Sequence, residues 1–132
     1  VLAIDPARRL VEWTRAGHDP AIFYDPAADD FIELAGSGMA LGVEKNFQYE
    51  QSRKDPFPPG SIIVLGTDGI WETSNEKGEL FGKDRLKEVI RRYAGQSARD
   101  ILLAVHAAAE EFRGELKQED ELTIVIVKLQ AE

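Results

Sequence analysis

Short apolar runs separated by turn-forming residues fill the first half of the chain and predict β-strands. The first two runs are joined by residues 5–9, which contain a proline, and the next two by a segment that contains Asp25-Pro26, so each pair is typical of a hairpin. A later and more polar run, residues 47–52, is typical of an edge strand. The predicted strands are residues 1–4, 10–14, 21–24, 31–34, 47–52, 62–65 and 122–129.

Apolar residues recur at a helical period between the sixth predicted strand and the last one. In the first predicted helix they follow the spacing i, i+3, i+4, i+7: Leu86, Val89, Ile90 and Tyr93. In the second they form one stripe: Ile101, Val105, Ala108 and Phe112. Ser97 is expected to cap the second helix, and Gly95 and Gly114 stand where glycines commonly end helices. The pattern therefore predicts two consecutive helices before the final strand.

Two of the predicted strands, residues 62–65 and 122–127, are apolar at nearly every position instead of alternating. Strands of this kind are covered on both faces. Because the hairpins exclude a purely parallel sheet, the simplest architecture is an α+β fold in which antiparallel sheets carry helices on an outer face. The length of 132 residues suits a single domain, residues 1–132.

The composition narrows the possible function classes. The formal net charge of −8 argues against nucleic acid as a partner, because phosphate binding needs a clustered basic face. No apolar run reaches the ~20 residues of a membrane-spanning helix, so no membrane segment is expected. The lack of cysteine excludes disulfides and thiolate metal sites and fits a reducing, cytoplasmic location.

An aspartate followed by glycine ends the predicted strand 62–65, in the stretch VLGTDGIWET. Asp68-Gly69 is also a common hairpin turn, but no second alternating strand follows within two positions, so a loop aspartate and a ligand remain open alternatives. Asp120 precedes the strand 122–127 and, taken alone, is better explained as a solvated loop residue. If the two strands are antiparallel neighbours, both carboxylates converge at one edge of the core. Oxygen ligands on rigid elements are what Mg²⁺ or Mn²⁺ requires.

Other candidate residues carry weaker signals. His18 and His106 are lone histidines without a His-rich neighbourhood, and structural roles are expected for both. Gly36, Gly38 and Gly42 lack the spacing of a nucleotide-binding loop. With no cysteine and no Ser-His-acid pattern, covalent catalysis has no support.

Five segments resemble, in their order along the chain, the motifs of metal-dependent protein phosphatases: AGHDPA (16–21), GMALGV (38–43), PPGSIIVLGTDGIWET (58–73), NEKGELFGKDRL (75–86) and DELTIVIV (120–127). The resemblance is to the bacterial SpoIIE/RsbU-type branch of the PPM (type 2C) serine/threonine phosphatases. It runs from the first residue to the last strand. The TDG element together with the terminal Asp-x-x-Thr element is its most specific part.

The resemblance implies a sandwich of two antiparallel sheets flanked by helices, an α/β/β/α arrangement. It also implies that Asp68 and Asp120 bind a pair of Mn²⁺ or Mg²⁺ ions, with Gly69 leaving room beside them. The ions would activate a water that attacks phosphoserine or phosphothreonine directly. By the same resemblance, the substrate is a phosphorylated bacterial signalling protein of the anti-sigma-factor-antagonist type.

The family's first metal motif has no counterpart in this sequence, which begins Val-Leu-Ala-Ile-Asp. Two carboxylates supply a charge of −2 against the +4 of two dications, so a buried dimetal site needs further acidic ligands. We therefore expect the C-terminal part of a phosphatase domain, incomplete at the N-terminus and inactive alone. The alternative is a non-catalytic, phosphatase-like module that binds a partner, whereas a generic β-rich domain would not explain five ordered motifs. Unpaired strand edges in such a fragment favour a homodimer.

Overall fold

Seven strands and two helices form the described part of the computed structural model, residues 1–118 and 120–130. Their order is β1 (Leu2–Asp5), β2 (Leu10–Trp13), β3 (Ala21–Asp25), β4 (Asp30–Leu34), β5 (Ser52–Lys54), β6 (Ile62–Gly66), α1 (Gly82–Tyr93), α2 (Ala98–Arg113) and β7 (Ile124–Lys128). Most of these elements fall close to the predicted ones, so the period of the apolar positions accounts for most of the secondary structure.

The strands form two antiparallel sheets, one with the order β1-β2-β5 and the other with the order β4-β3-β6-β7. The two predicted hairpins are confirmed, since β1 pairs with β2 and β3 pairs with β4. The pairing of β6 with β7 is also antiparallel, with Ile63 opposite Val127. The two strands with the most continuous apolar sequences are therefore neighbours in one sheet.

Successive residues of β3 and β6 alternate between two hydrophobic cores, because side chains along a strand point to opposite faces. One core fills the space between the sheets: Val11, Phe23, Leu34, Phe57, Ile63 and Leu129. The other lies between the four-stranded sheet and the helices: Ile22, Tyr24, Ile62, Val64, Ile70, Phe81, Leu86, Ile90, Ile101 and Val105. Both helices thus cover one outer face, and the described residues form the layers α/β/β. The predicted α+β sandwich with flanking helices is confirmed.

Helix α2 begins and ends as the sequence predicts. The side chain of Ser97 accepts a hydrogen bond from the N–H of Asp100 at 3.1 Å, and Gly114 follows the helix with a φ of 67°. Within the described residues, neither helix is long and apolar enough to cross a membrane.

Helix α1 ends at Tyr93, just before Gly95, as the sequence predicts. Ala94 nevertheless remains in the right-handed conformation, and Gly95 does not adopt the left-handed conformation common for such a glycine. Lys128 supports this end of the helix in a different way. Its Nζ donates hydrogen bonds to the carbonyl oxygens of Ala94 at 2.8 Å and of Gln96 at 2.6 Å. A cation from β7 thereby satisfies carbonyls at the end of α1 that a glycine turn would otherwise satisfy.

The predicted strand 47–52 is wrong in its position, because the structure places β5 at Ser52–Lys54. Phe47 and Tyr49 instead pack edge to face, with ring centroids 4.8 Å apart. The hydroxyl of Tyr49 donates to the carbonyl of Ala40 at 3.2 Å. Local aromatic packing thus takes the place of strand pairing in this segment.

Strand β7 lies at the edge of its sheet in the described part of the chain. Val125 is consequently 50 % exposed, whereas Ile62, Ile63 and Val64 of β6 are all buried. The expectation that both faces are covered is therefore correct for β6 and wrong for part of β7. A sequence of Ile and Val alone does not distinguish an edge strand from a central one.

Candidate functional site

The pairing of β6 with β7 brings the end of one strand to the beginning of the other. The last pair of the ladder is Gly66 opposite Ile124, and the N–H of Thr67 extends it by donating to the carbonyl of Thr123 at 3.0 Å. The residues after β6 and those before β7 therefore lie side by side at one edge of the sheet. The hypothesis that these strands are antiparallel neighbours is confirmed.

The segment after β6 folds into a compact turn and not into a hairpin. The N–H of Ile70 donates to the carbonyl of Thr67 at 3.2 Å, and the N–H of Glu72 donates to the carbonyl of Asp68 at 2.8 Å. Ile70 is 2 % exposed and belongs to the core beneath the helices, so it anchors the turn. Asp68 itself is exposed at the edge of the sheet. We call residues 67–70 the TDG turn.

Gly69 lies against the segment that precedes β7. A Cβ atom at position 69 would lie 2.6 Å from the carbonyl oxygen of Glu121 and 3.7 Å from the Cβ of Asp120. The first distance is shorter than any ordinary Cβ contact, so an added side chain would displace the backbone. This close approach explains why a glycine follows Asp68, and it brings Asp120 beside the TDG turn.

The hydroxyl of Thr67 fastens the two segments to each other. It donates to the carbonyl oxygen of Glu121 at 3.2 Å and accepts from the N–H of Thr123 at 3.2 Å. A single side chain thus satisfies two backbone groups of the opposite segment. The sequence interpretation gave Thr67 no role, although its position one residue beyond the β6–β7 ladder would have suggested this contact.

A polar cavity of about 210 Å³ opens beside Asp120. Residues from the TDG turn, the segment after it and the end of α2 form its wall: Gly69, Glu72, Thr73, Ser74, Arg113, Lys117, Gln118 and Asp120. Two cationic side chains, Arg113 and Lys117, therefore lie in the same wall as Asp120, in a chain whose net charge is −8. Two acids, Glu72 and Asp120, lie in this wall as well, so the cavity is lined by charges of both signs.

Asp120 accepts hydrogen bonds from a residue that precedes it in the sequence and from a residue that follows it. The N–H of Glu121 donates to its Oδ1 at 2.7 Å, and Nε2 of Gln118 donates to its backbone carbonyl at 2.7 Å. Gln118 in turn accepts from Nη1 of Arg113 at 3.2 Å. The sequence interpretation missed Gln118 and Arg113, because neither belongs to a recognisable motif and their contact depends on the path of the chain after α2.

Asp68 and Asp120 offer oxygen ligands of the type that a divalent cation prefers, but they supply only part of a complete ligand set. Carboxylates at the ends of rigid strands are ligands that Mg²⁺ and Mn²⁺ prefer, and no side chain at Gly69 fills the space between the two segments. In residues 1–118 and 120–130, no group of three or more Asp, Glu, His or Cys side chains is arranged to hold a metal ion. The described residues therefore supply two carboxylates at most for a dimetal site.

Among the described residues, the side chains of the two histidines form polar contacts only with residues close to them in the sequence. Nδ1 of His18 lies 2.8 Å from the carbonyl oxygen of Asp19. His106 is an exposed residue of α2, and its Nδ1 lies 3.9 Å from the carboxylate of Glu110. The structural roles predicted for both residues therefore stay predictions.

Solved structures share this arrangement of sheets and helices. The SiaA-PP2C domain of Pseudomonas aeruginosa matches 92 % of the chain with a TM-score of 0.76 and 28 % identity, and the match covers 47 % of that structure. The phosphatase domain of the cell fate determinant SpoIIE from Bacillus subtilis, Mn presoaked, matches 100 % of the chain with a TM-score of 0.69 and 18 % identity, over 56 % of its own length. The fold is therefore that of the PP2C-type phosphatase domains.

The sequence profile described as Stage II sporulation protein E (SpoIIE) matches residues 1–130, and the chain belongs to the SpoIIE family. The phosphoserine phosphatase RsbU of Bacillus subtilis (strain 168) is 25 % identical over 116 residues, which make up 88 % of this chain and 34 % of RsbU. The chain thus spans about a third of this curated relative and about half of the matched structures. The resemblance to the SpoIIE/RsbU-type branch is confirmed.

Proposed function

We propose that this chain is part of a metal-dependent serine/threonine protein phosphatase of the PP2C type. The observation that carries the proposal is the contact between the TDG turn and the segment before β7, which brings the Asp68 and Asp120 segments to one edge of the sheet. Membership of the SpoIIE family and the similarity to RsbU, a phosphoserine phosphatase by name, support the same reaction class.

In this proposal, Asp68 and Asp120 hold Mn²⁺ or Mg²⁺ through their carboxylates. A bound pair of such ions lowers the pKa of a water molecule and neutralises phosphoryl oxygens, so that a phosphate ester is hydrolysed without a protein nucleophile. Gly69 allows the two acid-bearing segments to approach each other, and the Thr67 hydroxyl fixes their relative position. The chain therefore contributes the geometry of one side of the site.

The whole reaction requires more donors than these two acids. Two carboxylates offer a charge of −2 against the +4 of two dications, and the chain spans 34 % of RsbU and 47 % of the SiaA structure. We propose that residues 1–132 are the C-terminal portion of a SpoIIE-type phosphatase domain. The remaining acidic ligands then come from residues outside this sequence, and the chain is inactive alone.

The proposed substrate is a phosphoserine or phosphothreonine on a bacterial signalling protein of the anti-sigma-factor-antagonist type, a cytoplasmic partner. The polar cavity beside Asp120 supports this substrate in part, because the cations Arg113 and Lys117 lie in its wall beside the acids Glu72 and Asp120. A second copy of the chain is a further proposed partner. Strands β1, β5, β4 and β7 are sheet edges in the described residues, and Val125 on one of them is half-exposed.

The test is phosphate release by the complete phosphatase domain with Mn²⁺ and a phosphoserine-bearing protein. We expect Asp68→Asn and Asp120→Asn to reduce the release to background, because each removes a charged ligand while preserving the side-chain shape. Asp84→Asn is the matched control: Asp84 is an exposed residue in the first turn of α1, and the same charge is lost there. Full activity in the Asp68 and Asp120 variants would refute the mechanism.

A non-catalytic, phosphatase-like function is favoured by one observation. No three-ligand group for a metal occurs among residues 1–118 and 120–130. This alternative predicts that the complete domain binds its phosphorylated partner but releases no phosphate at any Mn²⁺ concentration. Detectable turnover that depends on Mn²⁺ would exclude it.

A further inference from the structure

The described part of the connection between α2 and β7, residues 114–118 and 120–123, is tied to the rest of the molecule at two places. At its end, Thr67 binds the carbonyl of Glu121, and Gly69 packs against the same carbonyl. Near its middle, Gln118 binds the last residue of α2, Arg113. Within the described residues, no side chain at 115–117 forms a hydrogen bond or ion pair, so Gln118 is the contact that joins this stretch to the helix.

Gln118 bridges two groups of opposite hydrogen-bonding character. Its Oε1 accepts from Nη1 of Arg113 at 3.2 Å, and its Nε2 donates to the backbone carbonyl of Asp120 at 2.7 Å. A guanidinium only donates and a carbonyl only accepts, so the bridging side chain must offer one acceptor and one donor. These two partners also fix the orientation of the amide. A carboxylate would lack the donor and an amine would lack the acceptor, which makes glutamine well suited to this position.

The other end of the bridge is itself fixed. Arg113 is largely buried, with 17 % of its side chain exposed, and its Nη2 donates to Oε1 of Glu110 at 3.0 Å. The ion pair and the burial hold the guanidinium on the last turn of α2. A rigid group on a packed helix is thereby linked, through one amide, to the backbone of Asp120.

We propose that Gln118 is a positioning residue that sets the place of the Asp120 carboxylate relative to the TDG turn. The inference rests on the proposed function, because it takes Asp120 to be a metal ligand. Residues that orient metal ligands by hydrogen bonds commonly change metal affinity by about 10- to 100-fold when they are replaced. Loss of the Gln118 bridge should therefore weaken metal binding more than it weakens folding.

The experiment uses the complete phosphatase domain and Mn²⁺ as the probe. Gln118→Met keeps the length of the side chain and removes both the acceptor and the donor. Gln51→Ala is the control, since Gln51 forms a comparable exposed hydrogen bond, to Oε1 of Glu12 at 3.0 Å, on the three-stranded sheet. The dissociation constant of Mn²⁺ is measured by isothermal titration calorimetry, and the melting temperature without metal by differential scanning calorimetry.

We expect Gln118→Met to raise the Mn²⁺ dissociation constant about tenfold, with the metal-free melting temperature close to that of the parent. Arg113→Met should produce a similar loss, and the double variant should be no worse than either single one, because residues in one network are not additive. Gln51→Ala should bind Mn²⁺ as the parent does.

The outcomes separate this inference from the function on which it rests. If Asp120→Asn binds Mn²⁺ as tightly as the parent, the proposed metal role of Asp120 fails and the positioning role fails with it. If Asp120→Asn loses Mn²⁺ but Gln118→Met binds it unchanged, only the positioning role is overturned. Fully additive effects of the Arg113 and Gln118 substitutions would likewise overturn the bridge.

Discussion

Gly69→Ala is the substitution that most directly tests the contact between the two acid-bearing segments. The added methyl carbon would lie 2.6 Å from the carbonyl oxygen of Glu121, whereas ordinary contact begins at 3.4 Å. The segments would have to separate by about 0.8 Å, the difference between these distances. The same carbonyl accepts the Thr67 hydroxyl at 3.2 Å, so this separation would stretch that bond beyond hydrogen-bonding distance.

The expected loss of stability combines three effects. Overpacking that displaces backbone costs about 1–3 kcal/mol, and loss of the Thr67 hydrogen bond costs about 0.5–1.5 kcal/mol. Gly69 is not in the left-handed region, so alanine is not strained there, and the reduced entropy of the unfolded chain offsets about 0.4–1 kcal/mol. The net free energy of unfolding should fall by about 1–3 kcal/mol.

Two measurements on the complete domain test this expectation. Urea unfolding without metal gives the change in stability, and isothermal titration calorimetry gives the affinity for Mn²⁺. Gly95→Ala is a matched control, because a Cβ at Gly95 would meet no atom within 4 Å and its φ is not left-handed. We expect the control to be neutral or slightly stabilising, whereas Gly69→Ala should also weaken Mn²⁺ binding, since Asp120 moves with Glu121.

Equal stability and equal Mn²⁺ affinity in the Gly69→Ala and Gly95→Ala variants would contradict the close contact at Gly69. That result would mean that the backbone at Gly69 does not touch the segment before β7. The main support for a shared edge of Asp68 and Asp120 would then be lost. A loss of stability without a change in Mn²⁺ affinity would keep the contact but separate it from the metal site.

Three further predictions concern the supports of the fold. Thr67→Val should lower the free energy of unfolding by about 1 kcal/mol and Thr67→Ser should not, and equal urea curves for the two variants would contradict the bridging role of the hydroxyl. Lys128→Met should destabilise the domain by about 1–3 kcal/mol, because it leaves carbonyls at the end of α1 without their cationic donor, and an unchanged urea midpoint would contradict this. The hydrogen bond from Arg91, at 2.7 Å, and then that from Tyr24 hold the pKa of Asp29 below its usual value of 3.8. Because the folded-state pKa is the lower one, this stabilisation is fully present above about pH 4 and is lost as the pH falls through the lowered pKa. The difference in unfolding free energy between the parent and Asp29→Asn should therefore shrink on acidification from pH 6, and a constant difference would refute the ion pair.

The pattern of burial explains which elements could be predicted from the sequence. Strand β6 buries nearly every residue and helix α2 buries every fourth one, so their apolar positions mark them directly. Strand β5 is only three residues long and pairs with β2 across a long connection, which no local pattern records. The support at the end of α1 could not be predicted for a related reason: Lys128, which donates to carbonyls there, lies on β7, more than thirty positions away.

The residues of the candidate site likewise fall into those that the sequence predicts and those that only the structure reveals. Asp68, Gly69 and Asp120 stand next to strongly apolar strands, so the pairing of these strands was enough to place the segments that carry them at one edge of the sheet. Gln118 and Arg113 lie outside every motif, and their contact exists only because the connection after α2 turns back past the last turn of that helix. Their role therefore became visible only from the distances between side chains.

Asp68 and Asp120, the two acids at this edge, are held in place by different kinds of contact. This difference determines which substitutions should change the geometry of the proposed metal site. Asp68 lies in a turn that Ile70 anchors in a hydrophobic core, so the position of Asp68 depends on packing that involves many atoms. Asp120 depends on a few directional contacts: the Gln118 amide, the N–H of Glu121 and the close approach at Gly69. Hydrogen bonds of this kind each contribute about 0.5–1.5 kcal/mol, so losing one can shift a segment that packing would hold. The geometry of the proposed metal site should therefore be set mainly by the connection between α2 and β7.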